Sequence, residues 1–323
     1  MRNVVDAALK EPAIGNRQNT LDVAFRAATW FFAVLVLLIL AGIIVSLVAG
    51  ALPALRQFGW SFVFGSSWNP VTEKFGAFPA IYGTLVTSAI AMVIGIPVAF
   101  GIAVFITELC PPWFKRPVGT LIELLAAVPS IIYGIWGLFV FAPMLQSTLQ
   151  PFLIDTLGNV PWVGGLFGGP PLGIGIFTAG LILAIMVLPF ITSVMRDVFE
   201  TVPTVLKESA YGIGATTAEV VWNIVLPTTR VGVIGGVMLG LGRALGETMA
   251  VTFVIGNAHR IQESLLAPGT TISATLANEF SEAVGDLYVS SLFALGLILS
   301  IITLIVLAIA KFMLIRLQQR AGS

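Results

Sequence analysis

The chain has 323 residues, of which 57% are hydrophobic and only 10% charged, with 16 Lys and Arg balanced by 16 Asp and Glu. Soluble domains carry about 25% charged residues, so a pair of soluble domains is excluded, and the zero net charge points to neither nucleic acid nor an acidic partner. Cys110 is the only cysteine and His259 the only histidine, which excludes an internal disulfide and any multi-cysteine metal site.

A mean hydropathy of +1.00 marks a polytopic membrane protein. A bilayer crossing takes about 20 mostly apolar residues. Residues 1–27 read as a polar, flexible tail. Six helical spans are then predicted near 28–50, 80–107, 118–144, 172–195, 231–256 and 289–315, with a short tail at 316–323. The fold class is therefore all-α. Ala49-Gly50-Ala51 resembles a signal cleavage site, but the apolar run before it exceeds the roughly 7–15 residues of a signal core. The first span reads as a retained anchor.

Orientation follows from Lys and Arg in the connections. One side holds Arg2, Lys10, Arg17, Arg26, Lys115, Arg116, Arg196, Lys207, Arg230, Lys311, Arg316 and Arg320, whereas the other holds Arg56, Lys74 and Arg260. This asymmetry predicts that both termini are cytoplasmic. The outer connections 51–79 and 145–171 are rich in Gly, Pro and aromatics, as in "FGSSWNP" and "GNVPWVGGLFGGPP". In the third, 257–288, "ISATLANEFSEAV" predicts a short amphipathic helix among Glu263, Glu279, Glu282 and Asp286. It is either a solvated helix at the interface or a docking surface for an extracytoplasmic protein.

The inner connection, about 197–228, carries more information. Pro203 suits a first helical turn, and "TVLKESAYG" continues it until Gly212 and Gly214. Thr216 and Glu219 have capping-box spacing for a second helix, expected to end before Pro227. This helix–glycine turn–helix is too short to form its own core and is expected to pack on another protein.

The fifth segment contains "GLGRALGETMAV", with Arg243 and Glu247 among apolar residues. Four residues apart on a helix, they share a face and are expected to touch, Glu247 neutralising Arg243 at rest. Gly232, Gly236 and Gly240 form one small-residue stripe and Gly235, Gly242 and Gly246 a second, a spacing that lets membrane helices approach closely. A membrane-embedded Arg usually marks a substrate path, and its planar fork suits phosphate oxygens. The competing reading is an ion pair that only fixes helix packing. No G-x-x-x-x-G-K-[ST] stretch occurs, and none of the five lysines follows a glycine, so no nucleotide site is predicted here.

"ESAYGIGATTAEVVWNIVLP" resembles the EAA loop of ABC importer permeases, at Glu208, Ala210, Gly214, Ile224, Leu226 and Pro227, with Ser209 replacing the middle Ala of that motif. "AIYGTLVTSAIAMVIGIPVAFGIAVFITEL", "IELLAAVPSIIYGIWGLFVFAP" and "GLGRALGETMAVTFVIGN" extend the likeness over roughly residues 30–315, to the C-type permeases of phosphate-specific (Pst) importers. "GRALGET" alone also suits the A-type sister permease, and "MAVTFVIGN" with "LANEFSEA" favours the C-type. The resemblance implies a MetI-like architecture across 28–315 and a non-catalytic subunit of the bacterial inner membrane. It further implies phosphate as cargo, with Arg243 and Glu247 needed for passage, and the EAA positions as the ATPase-coupling site. Other oxyanions, molybdate, tungstate or sulfate, are the alternative cargo. Partners implied are an A-type permease chain, a homodimeric ATPase that binds ATP and Mg, and an extracytoplasmic phosphate-binding protein. No cofactor or metal of its own is implied for this chain.

Overall fold

A computed structural model describes the backbone of residues 15–321 and the side chains of residues 22–316. Residues 1–14 of the expected N-terminal tail, the end of the C-terminal tail at 322–323, and the side chains of Arg2, Lys10, Arg17 and Arg320 lie outside the described residues.

The first helix runs from Gly15 to Phe58, so the second half of the expected tail is helical. Within this helix no proline occurs before Pro53, and Asn16–Arg26 continue the helix although they are too polar to lie in the hydrocarbon. Residues to Gly50 form one unit and those from Ala51 another. In the first unit the helix exposes Trp30, Phe31, Leu37 and Leu38 by more than half. An apolar helix without an interior of its own is suited to hydrocarbon rather than water.

Six helices among the described residues are long and apolar enough to cross a membrane: Asp22–Phe58, Phe78–Leu109, Ser130–Ser147, Ile176–Glu200, Thr217–Leu245 and Asp286–Arg316. Two differ from expectation. The third breaks between Ala126 and Ser130 at Pro129, leaving Pro112–Ala126 as a separate amphipathic helix. The cause is local, because a proline disfavours helical geometry in the residue before it. The fifth begins at Thr217 and stops at Leu245, so the expected span to residue 256 is shorter by its last three turns.

In the second unit the fourth span is the most buried, with Ile182, Leu183, Val187, Ile191 and Met195 inaccessible or nearly so. Small residues bring its neighbours close, since lipid supplies no hydrophobic drive and packing must hold membrane helices together. Gly232, Gly236 and Gly240 of the fifth span lie against Val198, Val194 and Ile191. The expected stripe thus faces the fourth span. The second span runs alongside, Ile90 against Gly180 and Gly95 against Val187.

After Leu245 the chain does not continue outward as a helix. Residues 253–271 fold back as a loop anchored by buried residues, with Val254 and Ile255 fully inaccessible and Leu266 nearly so. Its carbonyls receive the first N–H groups of the fourth span: Gly175 donates to Val254, Ile176 to Ala267 and Phe177 to Leu265, at 2.9, 3.2 and 2.8 Å. A helix end leaves such donors unpaired, so the loop caps the span. Gly83 of the second span makes this approach possible, because a Cβ there would sit 1.8 Å from the Thr270 carbonyl oxygen. The helix expected in "ISATLANEFSEAV" covers Ile272–Glu279, but Ile272–Thr275 are buried. It is therefore part of the fold rather than a solvated surface helix.

Candidate functional site

Arg243 occupies the last turn of the helix Leu226–Leu245 and is exposed. Its Cζ lies 5.7 Å from the centroid of Phe190, and Phe190 stands near the middle of the fourth span. The guanidinium is therefore level with the middle of the fourth span, on an open face of the chain. Among the described residues no carboxylate comes within ion-pair distance of it. A cation over an aromatic ring gains about 0.5–1 kcal/mol at an exposed site, and a cation at a helix C-terminus about 0.3–1. An Arg at the bilayer centre costs roughly 2.5–3.5 kcal/mol on insertion scales. The local contacts do not offset that cost if the face meets lipid.

The expected contact between Arg243 and Glu247 is not made. The helix ends at Leu245 with Gly246 at φ −94° and ψ 0°, so the two residues do not share a helical face. Glu247 turns the other way, its Oε1 accepting from the Ala250 N–H at 3.2 Å. It caps the short helix Met249–Thr252, satisfying a donor that would otherwise be orphaned in an apolar setting. Glu247 is half-buried and does not neutralise the arginine.

The inner connection forms the expected helix–glycine turn–helix. Thr204–Gly212 is helical with Pro203 as its N-cap. The turn closes with Gly214 N–H donating to Tyr211 O and Ala215 N–H to Ala210 O, each 3.0 Å. Gly214 has φ +91°, which L side chains rarely adopt. Thr216 and Glu219 make the expected capping box. The second helix does not stop before Pro227. It passes through a π turn at Val221–Val225 and continues as the fifth span. The wider turn accommodates the ring and missing N–H of Pro227, which a regular α-helix interior does not.

Within this connection Ala210 is 8% exposed and packs in the main core, with Ile224 half-buried against it. Leu226 is half-buried, while Glu208, Gly214 and Pro227 are exposed. Leu206, Tyr211, Ile213 and Trp222 are exposed around them, Ile213 by 89%. The result is an apolar surface on a rigid polar-capped frame.

Sequence reasoning missed several contacts. Lys207 Nζ donates to Glu108 Oε1 at 2.6 Å, across 99 residues, and no spacing signals it. At the other end, Glu279 accepts from Trp68 Nε1 at 2.6 Å, Tyr288 Oη at 2.8 Å and His259 Nε2 at 2.5 Å. Burial pushes the Glu279 carboxyl up, but these partners, His259 foremost, hold it below the ordinary range. The sole histidine is thus part of a polar knot joining the first and third outer connections.

Six apolar spans, with a cation on an open face beside the middle of the fourth, define a polytopic membrane protein. The model of the family described as binding-protein-dependent transport system inner membrane component matches residues 95–320, and the chain belongs to that family. It is the non-catalytic permease component of such a system. Among curated proteins it is similar to the phosphate transport system permease protein PstC of Mesorhizobium japonicum, 64% identical, covering 94% of this chain and 92% of that one. The PstC of Pasteurella multocida is 56% identical over 97% of this chain and 98% of its own. Among solved structures, a chain of the bacterial alginate ABC transporter, crystallised with a pentasaccharide-bound periplasmic protein, superposes with a TM-score of 0.61. The match covers 92% of this chain and 96% of that one at 18% identity, and shows the shared fold.

Proposed function

We propose that this chain is the permease subunit through which an ATP-driven importer admits inorganic phosphate to a bacterial cell. The relatives at 64% and 56% identity are named as phosphate transport permeases, and Arg243 supplies a chemical reason for an anion. Among the described residues its fork has no carboxylate partner, and it is exposed and level with the middle of the fourth span, so the anion needs no competing carboxylate to be displaced. That position is the observation that carries the reading. Glu247 serves it by fixing the turn that ends the helix just beyond the arginine.

The open face of Arg243 is completed by a second, A-type permease chain, which turns a costly lipid-facing charge into the wall of a pathway. The inner connection, about 197–228, docks in a homodimeric ATPase that binds ATP and Mg, its exposed Leu206, Tyr211 and Ile213 filling that partner's cleft. An extracytoplasmic phosphate-binding protein delivers the cargo to the opposite end. The chain resides in the inner membrane with both termini cytoplasmic, as the Lys and Arg asymmetry of the connections supports.

Uptake of labelled phosphate in cells carrying the full set of subunits tests the reading, with sulfate and molybdate as competitors. Phosphate uptake lost on deletion of this chain and undiminished by the competitors is the expected result. Uptake suppressed by molybdate or sulfate, with phosphate transport negligible, contradicts the choice of cargo.

A further inference from the structure

In the coupling reading above, the helix Thr204–Gly212 moves with the ATPase and leads by chain continuity into the fifth span. It also follows directly on the fourth span, Ile176–Glu200, and a further attachment is not covalent. Lys207 Nζ donates to Glu108 Oε1 at 2.6 Å, and the two side chains are only 16% and 5% exposed. Among the described residues this is the only side-chain hydrogen bond from the helix Thr204–Gly212 to another element. An exposed ion pair holds little, whereas a buried one is costly to open because each charge is left without solvent or partner.

What the pair grips is also specific. Glu108 lies at the end of the second span, inside the π turn Phe105–Leu109. The fifth span begins with a π turn of its own, Val221–Val225. Such turns interrupt the regular ladder and are places where helices bend. The two stand on either side of one cleft of about 350 Å³, lined by Phe100, Val104 and Leu109 from the second span and Ala218, Val221 and Trp222 from the fifth. The Phe100 and Trp222 rings meet across it at 5.8 Å. A partly open apolar cleft lets the two span ends shift, and the contacts across it have no directional preference. The Lys207–Glu108 bond has one.

We propose that Lys207 and Glu108 are positioning residues of the transport cycle, tying the helix Thr204–Gly212 to the end of the second span so that its displacement moves the second and fifth spans together. The inference rests on the coupling reading of the connection. It assigns the second span a driven role that chain continuity does not give it. Neither residue touches the cargo.

The test uses the complete transporter in proteoliposomes: this chain, the second permease chain, the ATPase and the phosphate-loaded binding protein, with inorganic phosphate as the probe. Glu108→Gln and Lys207→Met alone are expected to lower uptake by about ten-fold or more, within the usual range of coupling effects. Hydrolysis then no longer responds to the binding protein. The double variant, Glu108→Gln with Lys207→Met, removes both buried charges and is expected to assemble with the ATPase yet remain unstimulated. The exchange, Glu108→Lys with Lys207→Glu, rebuilds the bond in reverse and is expected to recover stimulation and uptake.

A purely structural pair gives a different pattern. Full stimulation in the double neutral variant overturns the proposal, because removal of the charges alone then restores function. An assembled exchange variant no better than the single changes overturns it as well. Gly214→Val separates this inference from the reading beneath it. If Gly214→Val uncouples the transporter while the double neutral variant couples normally, only the pair is refuted. If Gly214→Val itself couples normally, the coupling reading fails and the pair falls with it.

Discussion

Replacing Gly214 probes the coupling connection at its most constrained backbone position. At φ +91° a non-glycine residue carries about 1–3 kcal/mol of strain, most for a β-branched side chain. No atom lies within 4 Å of the position a Cβ would take, so a packing cost does not add to it. The whole effect is conformational. To relieve the strain the turn must give up the Gly214 and Ala215 bonds to Tyr211 and Ala210, which hold Ile213 outward. A bias of that size shifts the population of the native turn by roughly 5–150-fold. Gly214→Val is therefore expected to insert normally, since the site is exposed and a Cβ there meets no atom, but to lose binding-protein-stimulated hydrolysis and phosphate uptake. Gly214→Ala should lose less, and Gly214→Asn least, because Asn tolerates the left-handed region. Stimulated hydrolysis measured across this series at matched abundance tests the order. If Val and Asn both perform as wild type, the turn conformation does not matter to coupling and the reasoning is refuted.

At the opposite end, Glu279→Ala leaves the Trp68, Tyr288 and His259 donors without their acceptor and is expected to lower stability by about 1–3 kcal/mol, read as a drop in Tm in detergent. Because the folded carboxyl is held below its ordinary range, its contribution is fully present above the unfolded pKa of about 4.3. The advantage of wild type over Glu279→Gln should vanish as pH falls through the lower folded value, and an advantage that grows on acidification would refute the assignment. Gly83→Ala places a Cβ 1.8 Å from the Thr270 carbonyl oxygen and should cost about 1–3 kcal/mol or more as the backbone shifts. Gly101→Ala, with no atom within 4 Å, is the control and should leave Tm unchanged. Reporter fusions after Gly165 and Ala267 should read as extracytoplasmic, and those after Trp113, Thr217 and Ser323 as cytoplasmic; a cytoplasmic signal at Gly165 would reverse the proposed topology.

Hydropathy was enough to find six spans, because a 20-residue apolar run has few other uses. The glycine stripe Gly232–Gly236–Gly240 also announced a close helix contact, and the fourth span fills it with Val198, Val194 and Ile191. The breaks were less legible. Pro129 does carry a signal for the end of a helix, but it lies inside an apolar run that averages over it. The break at Gly246 has weaker marks, since "RALGETMAV" contains good helix formers on both sides. What ends that helix is tertiary: the following loop is held by carbonyl contacts to the start of the fourth span, some 80 residues earlier in sequence. Arg243 was singled out by its residue type and its apolar neighbours, while its contact with Glu247, expected from their spacing, is not made because the helix ends between them. The capping box at Thr216–Glu219 is local and was readable; Lys207–Glu108 and Trp68–Glu279 are made by distant segments and were not.

The role proposed for Arg243 is to meet the anion with its guanidinium beside the middle of the fourth span. It is tested by initial rates of phosphate uptake for Arg243→Gln, Glu247→Gln and the double variant, each assembled with its partners at matched membrane abundance. Among the described residues no carboxylate lies against the guanidinium, so Arg243→Gln should abolish uptake and the added Glu247→Gln should not restore it. Recovery of uptake in the double variant would show that the two charges only balance each other, and would contradict the role of Arg243 toward the substrate.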